Sequence, residues 1–364
     1  MDIDIYDAAT DTWTSKALSR RRTYLVAVAA GGKMLIGYGK TQNDIYPDVL
    51  DVYDAVEGWS TVSIPNPRYG VGAAAVGSKA FFAGGGTDRD KTRVRQVDIY
   101  DTASGTWSLG EELSVGRWEP AGASVGSKVL FAGGANFEEG RGETLAAVDI
   151  IDTVTNGKTI AALSIGRKAM AVATVGSLVV FAGGRIITVD QVHSESDRVD
   201  VYDASDGSWS TASLSMARSW ASAATVGHAV YVGGGLGADG ATLDVIEVFD
   251  AVSRTWSVAT STLSRARAVL VGVGVGGKAL FAGGVPAVTD LVNPRYVDST
   301  VDTVDILSFD LSNTCVSCEA GKYMQLPGLS GLSTAGLKRA ASRSAAAALG
   351  TEAFFAGIVC EITV

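Results

Sequence analysis

Seven arginines recur along the chain about fifty residues apart: Arg22, Arg68, Arg117, Arg167, Arg218, Arg267 and Arg343. A guanidinium is a planar, permanently charged fork that matches a carboxylate or a phosphate. Aromatic residues stand within two positions of several of them, namely Tyr24, Tyr69, Trp118 and Trp220. Such rings offer flat faces on which a sugar or cyclic ligand stacks. Brought to one place, these side chains would form a mouth for an acidic small ligand, a carbohydrate or a segment of another protein. The plainer reading, an arginine that belongs to the ordinary repeat and pairs with loop carboxylates or backbone carbonyls, stays open beside it.

Other constellations carry less. Cys315-Val-Ser-Cys318 has the spacing of a redox pair or of half a zinc site. Only Cys360 remains as a third cysteine, and His193 and His228 sit far away, so a four-ligand zinc site is poorly supplied. Asp190, His193, Glu195 and Asp197 cluster in one polar stretch that reads more economically as a solvated turn than as a metal site. No Gly-x-Ser-x-Gly elbow, phosphate-binding loop or His-Glu-x-x-His pair occurs. No catalytic residue, metal or cofactor is assigned, and binding is favoured over catalysis.

Composition narrows the partners. The 364 residues are 47% hydrophobic and 19% charged, enough for a buried core and too apolar for disorder. The formal charge of −9 gives no reason to seek a polyanion, so nucleic acid is not expected as a partner. Gly, Ser or a charge interrupts every apolar run before the ~18 residues of a membrane helix, so no membrane insertion is expected and the chain reads as soluble. Forty-four glycines and seven prolines suit many short strands joined by tight turns. Met1 to Asp7 already reads as a strand inside a repeat, which suits a fragment of a larger protein, so a missing leader says little about compartment.

The elements that must position the arginines come from the repeat itself. Val76-Gly-Ser-Lys-Ala-Phe-Phe-Ala-Gly-Gly85 returns as Val125–Gly134, Val175–Gly184, Val226–Gly235 and Val275–Gly284, with degenerate copies at Gly32–Gly39 and Gly350–Gly357. A strand ending at Asp7, Asp54, Asp101, Asp152, Asp203, Asp250 or Asp310 follows each glycine pair. Trp13, Trp59, Trp107, Trp209 and Trp256 come next, absent from the third and sixth units; then a Leu-Ser pair or its equivalent leads to the Arg and a small-residue strand such as Gly70–Val76. Four short strands per unit make one blade of a propeller. Small residues suit the innermost strand, where blades converge, and the Trp suits the gap between blades.

The spaced Gly-Gly, aromatic and Trp resemble the kelch family over nearly the whole chain. That resemblance implies an all-β, seven-bladed β-propeller with four antiparallel strands per blade and ligand contacts on the face that carries the arginines. The expected domain is 1–364, with the last blade split between 1–18 and 339–364 and closed by the N- and C-terminal strands, and with an irregular insertion near 311–338. A monomeric propeller is expected. The copper pattern of galactose oxidase and the iron-binding phrase of kelch specifier proteins are not met. A mutarotase-like isomerase acting on a sugar acid at the same mouth is the alternative. The segment from Cys315 to Tyr323 resembles a phrase of small extracellular cysteine-rich modules. That likeness implies an oxidising compartment and a disulfide joining Cys360 to Cys315 or Cys318; three reduced thiols stay open as the alternative. Residues 358–364 find no place in the pattern.

Overall fold

A computed structural model of the chain describes residues 2–41, 43–87, 93–138, 141–287, 301–309 and 329–358. The described secondary structure is strand and turn throughout, with no helix among the described residues. Blade 1 is built from Val26–Ala30, Lys33–Gly37, Val49–Asp54 and Gly58–Ser63, hydrogen-bonded in that order. Blade 2 follows with Gly72–Val76, Lys79–Ala83, Val97–Asp101 and Thr106–Leu109. Blades 3, 4 and 5 repeat the order from Ala121–Val125, Ala171–Val175 and Ser222–Val226. Every pairing within a blade is antiparallel.

Closure is made by the chain ends. Asp2–Asp7 pairs antiparallel with Glu352–Ile358, placing Ile5 opposite Phe354, and Thr12–Ala17 adds the outer strand. The seven inner strands touch one another in a cycle, the last meeting the first, so the fold is a seven-bladed propeller and its sheets have no open row end. Neighbouring inner strands lie close enough for Thr225 Oγ1 to donate to the Thr174 carbonyl (3.0 Å) and Thr174 Oγ1 to the Ser124 carbonyl (2.9 Å). Only small side chains fit that convergence.

Blades 6 and 7 depart from the expected pattern. Leu329–Leu349 is one long strand that serves first as the outer strand of blade 6, against Val301–Phe309, and then as the inner strand of blade 7, against Glu352–Ile358. Register shifts between Val301 and Thr303 and between Ser342 and Ala345 interrupt its pairing. Of the stretch expected to be an irregular insertion, residues 311–328 lie outside the described residues and 329–338 fall within this long strand. Cys315, Cys318, Cys360 and Asp310 lie outside the described residues.

The core is divided rather than single. Seven buried apolar clusters sit one at each junction between neighbouring blades. Trp107 packs with Phe82 and Tyr100 against Leu35 and Val52 of blade 1, and Trp209 packs with Phe181 and Tyr202 against blade 3. Burial of these large rings stabilises the stack of blades. The Asp that ends each third strand turns the chain into the fourth: Asp54 Oδ1 accepts from Val56 N (2.8 Å) and Asp250 Oδ1 from Val252 N (2.7 Å).

Candidate functional site

In blades 1 to 6 the turn that opens the inner strand holds the recurring arginine, whereas Arg343 falls within the strand Leu329–Leu349. The structure places the guanidinium groups inside the blades. Arg22, Arg117, Arg167, Arg218 and Arg267 are 0% exposed and Arg68 is 3% exposed. Each forms an ion pair with a carboxylate on the third strand of its own blade: Asp51, Asp149, Asp200, Glu247 and Asp305 in that order, and Asp98 for Arg68. The remaining donors reach backbone carbonyls, as in Arg167 Nε to Gly183 O (2.7 Å) and Nη2 to Phe181 O (3.3 Å). Burial pushes the Arg117 guanidinium below its usual range, and the Asp149 charge opposes that shift. Asp4 holds the equivalent place in the closing blade, where the Arg343 side chain lies outside the described part of the structure.

The same carboxylates explain the serine three places before five of these arginines. Ser19, Ser114, Ser164, Ser215 and Ser264 donate their backbone N–H groups to Asp51, Asp149, Asp200, Glu247 and Asp305 at 2.8–3.1 Å. The turn from Ser to Arg therefore wraps one buried anion. The arginine backbone looks the other way: Gly85 N donates to the Arg117 carbonyl (2.9 Å), Gly134 N to that of Arg167 (3.1 Å) and Gly184 N to that of Arg218 (2.8 Å). A Cβ on Gly84 would meet the Arg117 oxygen at 2.6 Å, and both Gly84 and Gly85 have positive φ, so the doublet is demanded here by space and by backbone. One residue thus ties its own blade by its side chain and the preceding blade by its carbonyl.

Two positions after the arginine the backbone is left-handed in all six blades where the turn is described: Tyr24 (φ 55°), Gly70 (68°), Glu119 (52°), Ala169 (53°), Trp220 (49°) and Val269 (58°). L side chains resist this conformation, β-branched valine most of all. It lets the N–H groups of Glu119, Trp220 and Val269 donate to the carbonyls of Gly70, Ala169 and Trp220 at 2.7–3.0 Å, linking one blade to the next around the rim. Tyr24, Glu119, Ala169, Trp220 and Val269 are all partly exposed. The residue just after the arginine pairs with the one after the glycine doublet, as in Thr23 with Lys40, Trp118 with Ala135 and Lys168 with Arg185. These positions, rather than the arginines, form the surface of the mouth.

Blades 1 to 4 fill that surface with rings and cations. Tyr69 lies 4.7 Å from Trp118 and 5.4 Å from Tyr24 between ring centres, and Tyr46 stacks on Tyr69 at 5.9 Å. Trp118 rests on the bare backbone of Gly70, where a Cβ would come within 1.9 Å of its Nε1. Lys40 Nζ stands 4.5 Å over Tyr69, Arg93 5.0 Å over Trp118 and Lys168 5.8 Å over Trp118. Lys40 also pairs with Asp44 (2.8 Å) and Lys168 with Glu119 (2.9 Å). Nε and Nη1 of Arg93 are buried and have no hydrogen-bond partner among the described residues.

A second polar group borders it. Arg185 lies 3.4 Å from Glu195, 3.1 Å from His193 Nδ1 and 5.1 Å from the Trp220 ring centre. Burial raises the Glu195 carboxyl, against the lowering effects of Ser219 and Arg185, and burial lowers His193, helped by the charges of Arg185 and Lys168. His193 faces cations, an arrangement unsuited to a metal ligand. Among the described residues no three His, Cys, Asp or Glu side chains converge on one point.

Of the residues singled out by sequence, Tyr24, Tyr69 and Trp118 come together at the mouth. Trp220 stands apart from them on blade 5, beside Arg185. Sequence reasoning missed Lys40, Tyr46, Arg93 and Lys168, because the residue type at such places changes from blade to blade. It also missed the buried carboxylates, although Asp51, Asp98, Asp149, Asp200 and Glu247 each stand three places before the Asp that ends the strand.

Comparison with known proteins matches the Kelch motif at residues 67–114 and 217–262. The chain is also 26% identical over 166 residues to an F-box/kelch-repeat protein, SKIP20, from Arabidopsis thaliana. The match covers 42% of this chain and 40% of that relative's length.

Proposed function

From the premise that this chain is a kelch-repeat β-propeller, we propose that it is an interaction module whose mouth recognises an acidic segment of a partner protein. The observation that carries this reading is the platform at Trp118. Its indole is partly exposed, two cations stand within 5.8 Å of the ring, and Arg93 holds two buried nitrogens with no acceptor among the described residues. An incoming carboxylate strengthens such a cluster, because a charge-assisted hydrogen bond in a partly desolvated site exceeds one in water. The partly exposed rings of Tyr24 and Trp118 add stacking area at small conformational cost, with the buried Tyr69 ring supporting both. The buried arginines serve this site indirectly, by fixing the turns on which it is displayed.

Selection of a displayed random-peptide library on the folded propeller tests the reading. Enrichment of Asp or Glu, lost when Lys168 and Arg93 are both changed to Gln, is the expected result. Peptides without acidic residues, or peptides indifferent to those changes, contradict it. The exposed ring faces also fit a sugar, and a thermal-shift screen of sugars and sugar acids separates that alternative.

A further inference from the structure

The junction of blades 2 and 3 differs from its neighbours in a way that defines a second binding site. At five junctions the outer strand places a Trp opposite an aromatic of the third strand: Tyr6 with Trp13, Tyr53 with Trp59, Tyr100 with Trp107, Tyr202 with Trp209 and Phe249 with Trp256. In blade 3 the same register pairs Ile151 with Lys158. Both rings are missing at one point, and a cleft of about 720 Å³ opens there between the blades.

Its walls are what the lost rings would have touched. Phe81 and Ile151, both buried, line it together with Ile99 and Leu109, and Arg95, Glu111, Glu112 and Lys158 give it a polar rim. Lys158 does not fill the space: its Nζ turns to the Glu112 carbonyl (2.5 Å) and lies 3.8 Å from Asp149. Beside the opening Leu109 is 70% exposed, and Ile160, on the same strand face as Lys158, is 62% exposed. Apolar side chains exposed around a partly apolar cleft mark a contact surface. The cleft lies by the outer strands, on the side wall of the propeller, and none of its lining residues belongs to the mouth.

We propose that this cleft receives an aromatic side chain of indole size from a partner segment, which takes the place that the chain's own Trp takes at five of the six other junctions. The occupant inserts its ring between Ile99 and Ile151, while its flanking apolar residues cover Leu109 and Ile160. This gives the protein a recognition site on its side wall that is independent of the mouth.

The test uses N-acetyl-5-fluorotryptophanamide as an uncharged probe and reads its fluorine NMR line width in the presence of the whole chain. The wild-type protein is expected to broaden the line, Lys158→Trp to abolish most of the broadening, and Trp118→Ala to leave it in place. The double change Ile151→Tyr with Lys158→Trp restores the aromatic pair and is expected to raise Tm by roughly 2–4 °C. A narrow line with wild-type protein, broadening that survives in folded Lys158→Trp, broadening lost in Trp118→Ala, or a Tm lowered in the double variant would each overturn the proposal. If the double variant does not fold, the single Lys158→Trp protein still decides between these outcomes.

Discussion

Trp118 donates its indole N–H to the backbone carbonyl of Tyr69 across the junction of blades 2 and 3, at 3.1 Å. The bond crosses two turns that are each pinned from within by a buried ion pair, Arg68 with Asp98 and Arg117 with Asp149. The aromatic surface of the mouth is therefore held on rigid supports before any ligand arrives, which lowers the ordering cost of binding.

Gly70 is the seat of that indole. Gly70→Ala sets a methyl group inside the ring's volume and adds a side chain at φ 68°. The change is expected to destabilise the fold by about 1–2 kcal/mol and to weaken mouth binding by displacing Trp118. Denaturant unfolding and a peptide titration check the two effects.

The ion pairs inside the blades behave as coupled units. Arg117→Ala leaves Asp149 buried with Ser114 still bonded but its main countercharge gone, and is expected to cost about 3–5 kcal/mol. Adding Asp149→Ala removes the uncompensated charge, so the double variant is expected to be more stable than the sum of the single losses allows. A double-mutant cycle in urea measures this, and simple additivity would contradict it.

Val269 is a β-branched residue in the left-handed region, partly exposed. Val269→Gly removes that strain and is expected to stabilise the protein by about 1 kcal/mol. A drop in Tm would show that packing of the isopropyl group outweighs the backbone term.

Asp203 accepts hydrogen bonds from Ser205 through side chain and backbone and pairs with Arg254, and these interactions, in that order, hold its carboxyl well below the usual range. A carboxylate with a depressed folded pKa adds stability that is full above its unfolded pKa of about 4 and is lost as pH falls toward the folded value. Asp203→Asn is therefore expected to lower Tm at pH 7 by about 2–4 °C, with the gap to wild type narrowing below pH 4. Asp7, Asp54, Asp101 and Asp152 are lowered in the same direction by the turns they accept from, so the blades share this sensitivity to acid.

The architecture was legible because each blade repeats the same physical solution. Glycine doublets, Trp spacing and the Leu-Ser-to-Arg phrase each answer one local need that recurs at most junctions. Closure was legible from the strands missing at one end and present at the other. The arginine's environment was harder to read. Its repetition fits a ligand ring as well as a structural staple, and the deciding partner, such as Asp149 for Arg117, lies on a different strand about thirty residues away. The surface of the mouth varies in residue type rather than in spacing: Lys40 and Arg185 stand at one repeat position that Gly86 and Ala135 fill in blades 2 and 3, so only the fold shows that they lie beside Tyr69 and Trp220. The part of the strand Leu329–Leu349 that precedes the last blade escaped notice because its Gly and Ser content resembles a loop.

The most direct measurement is calorimetric titration of a selected acidic peptide into wild type, Trp118→Ala and the paired Lys168→Gln with Arg93→Gln variant, at low and high salt. The account predicts binding to wild type that weakens with salt, at least tenfold loss on removing the indole, about 1.4 kcal/mol, and loss of the salt dependence when the cations are neutralised. Equal affinity across all three proteins, with Tm unchanged, would contradict it.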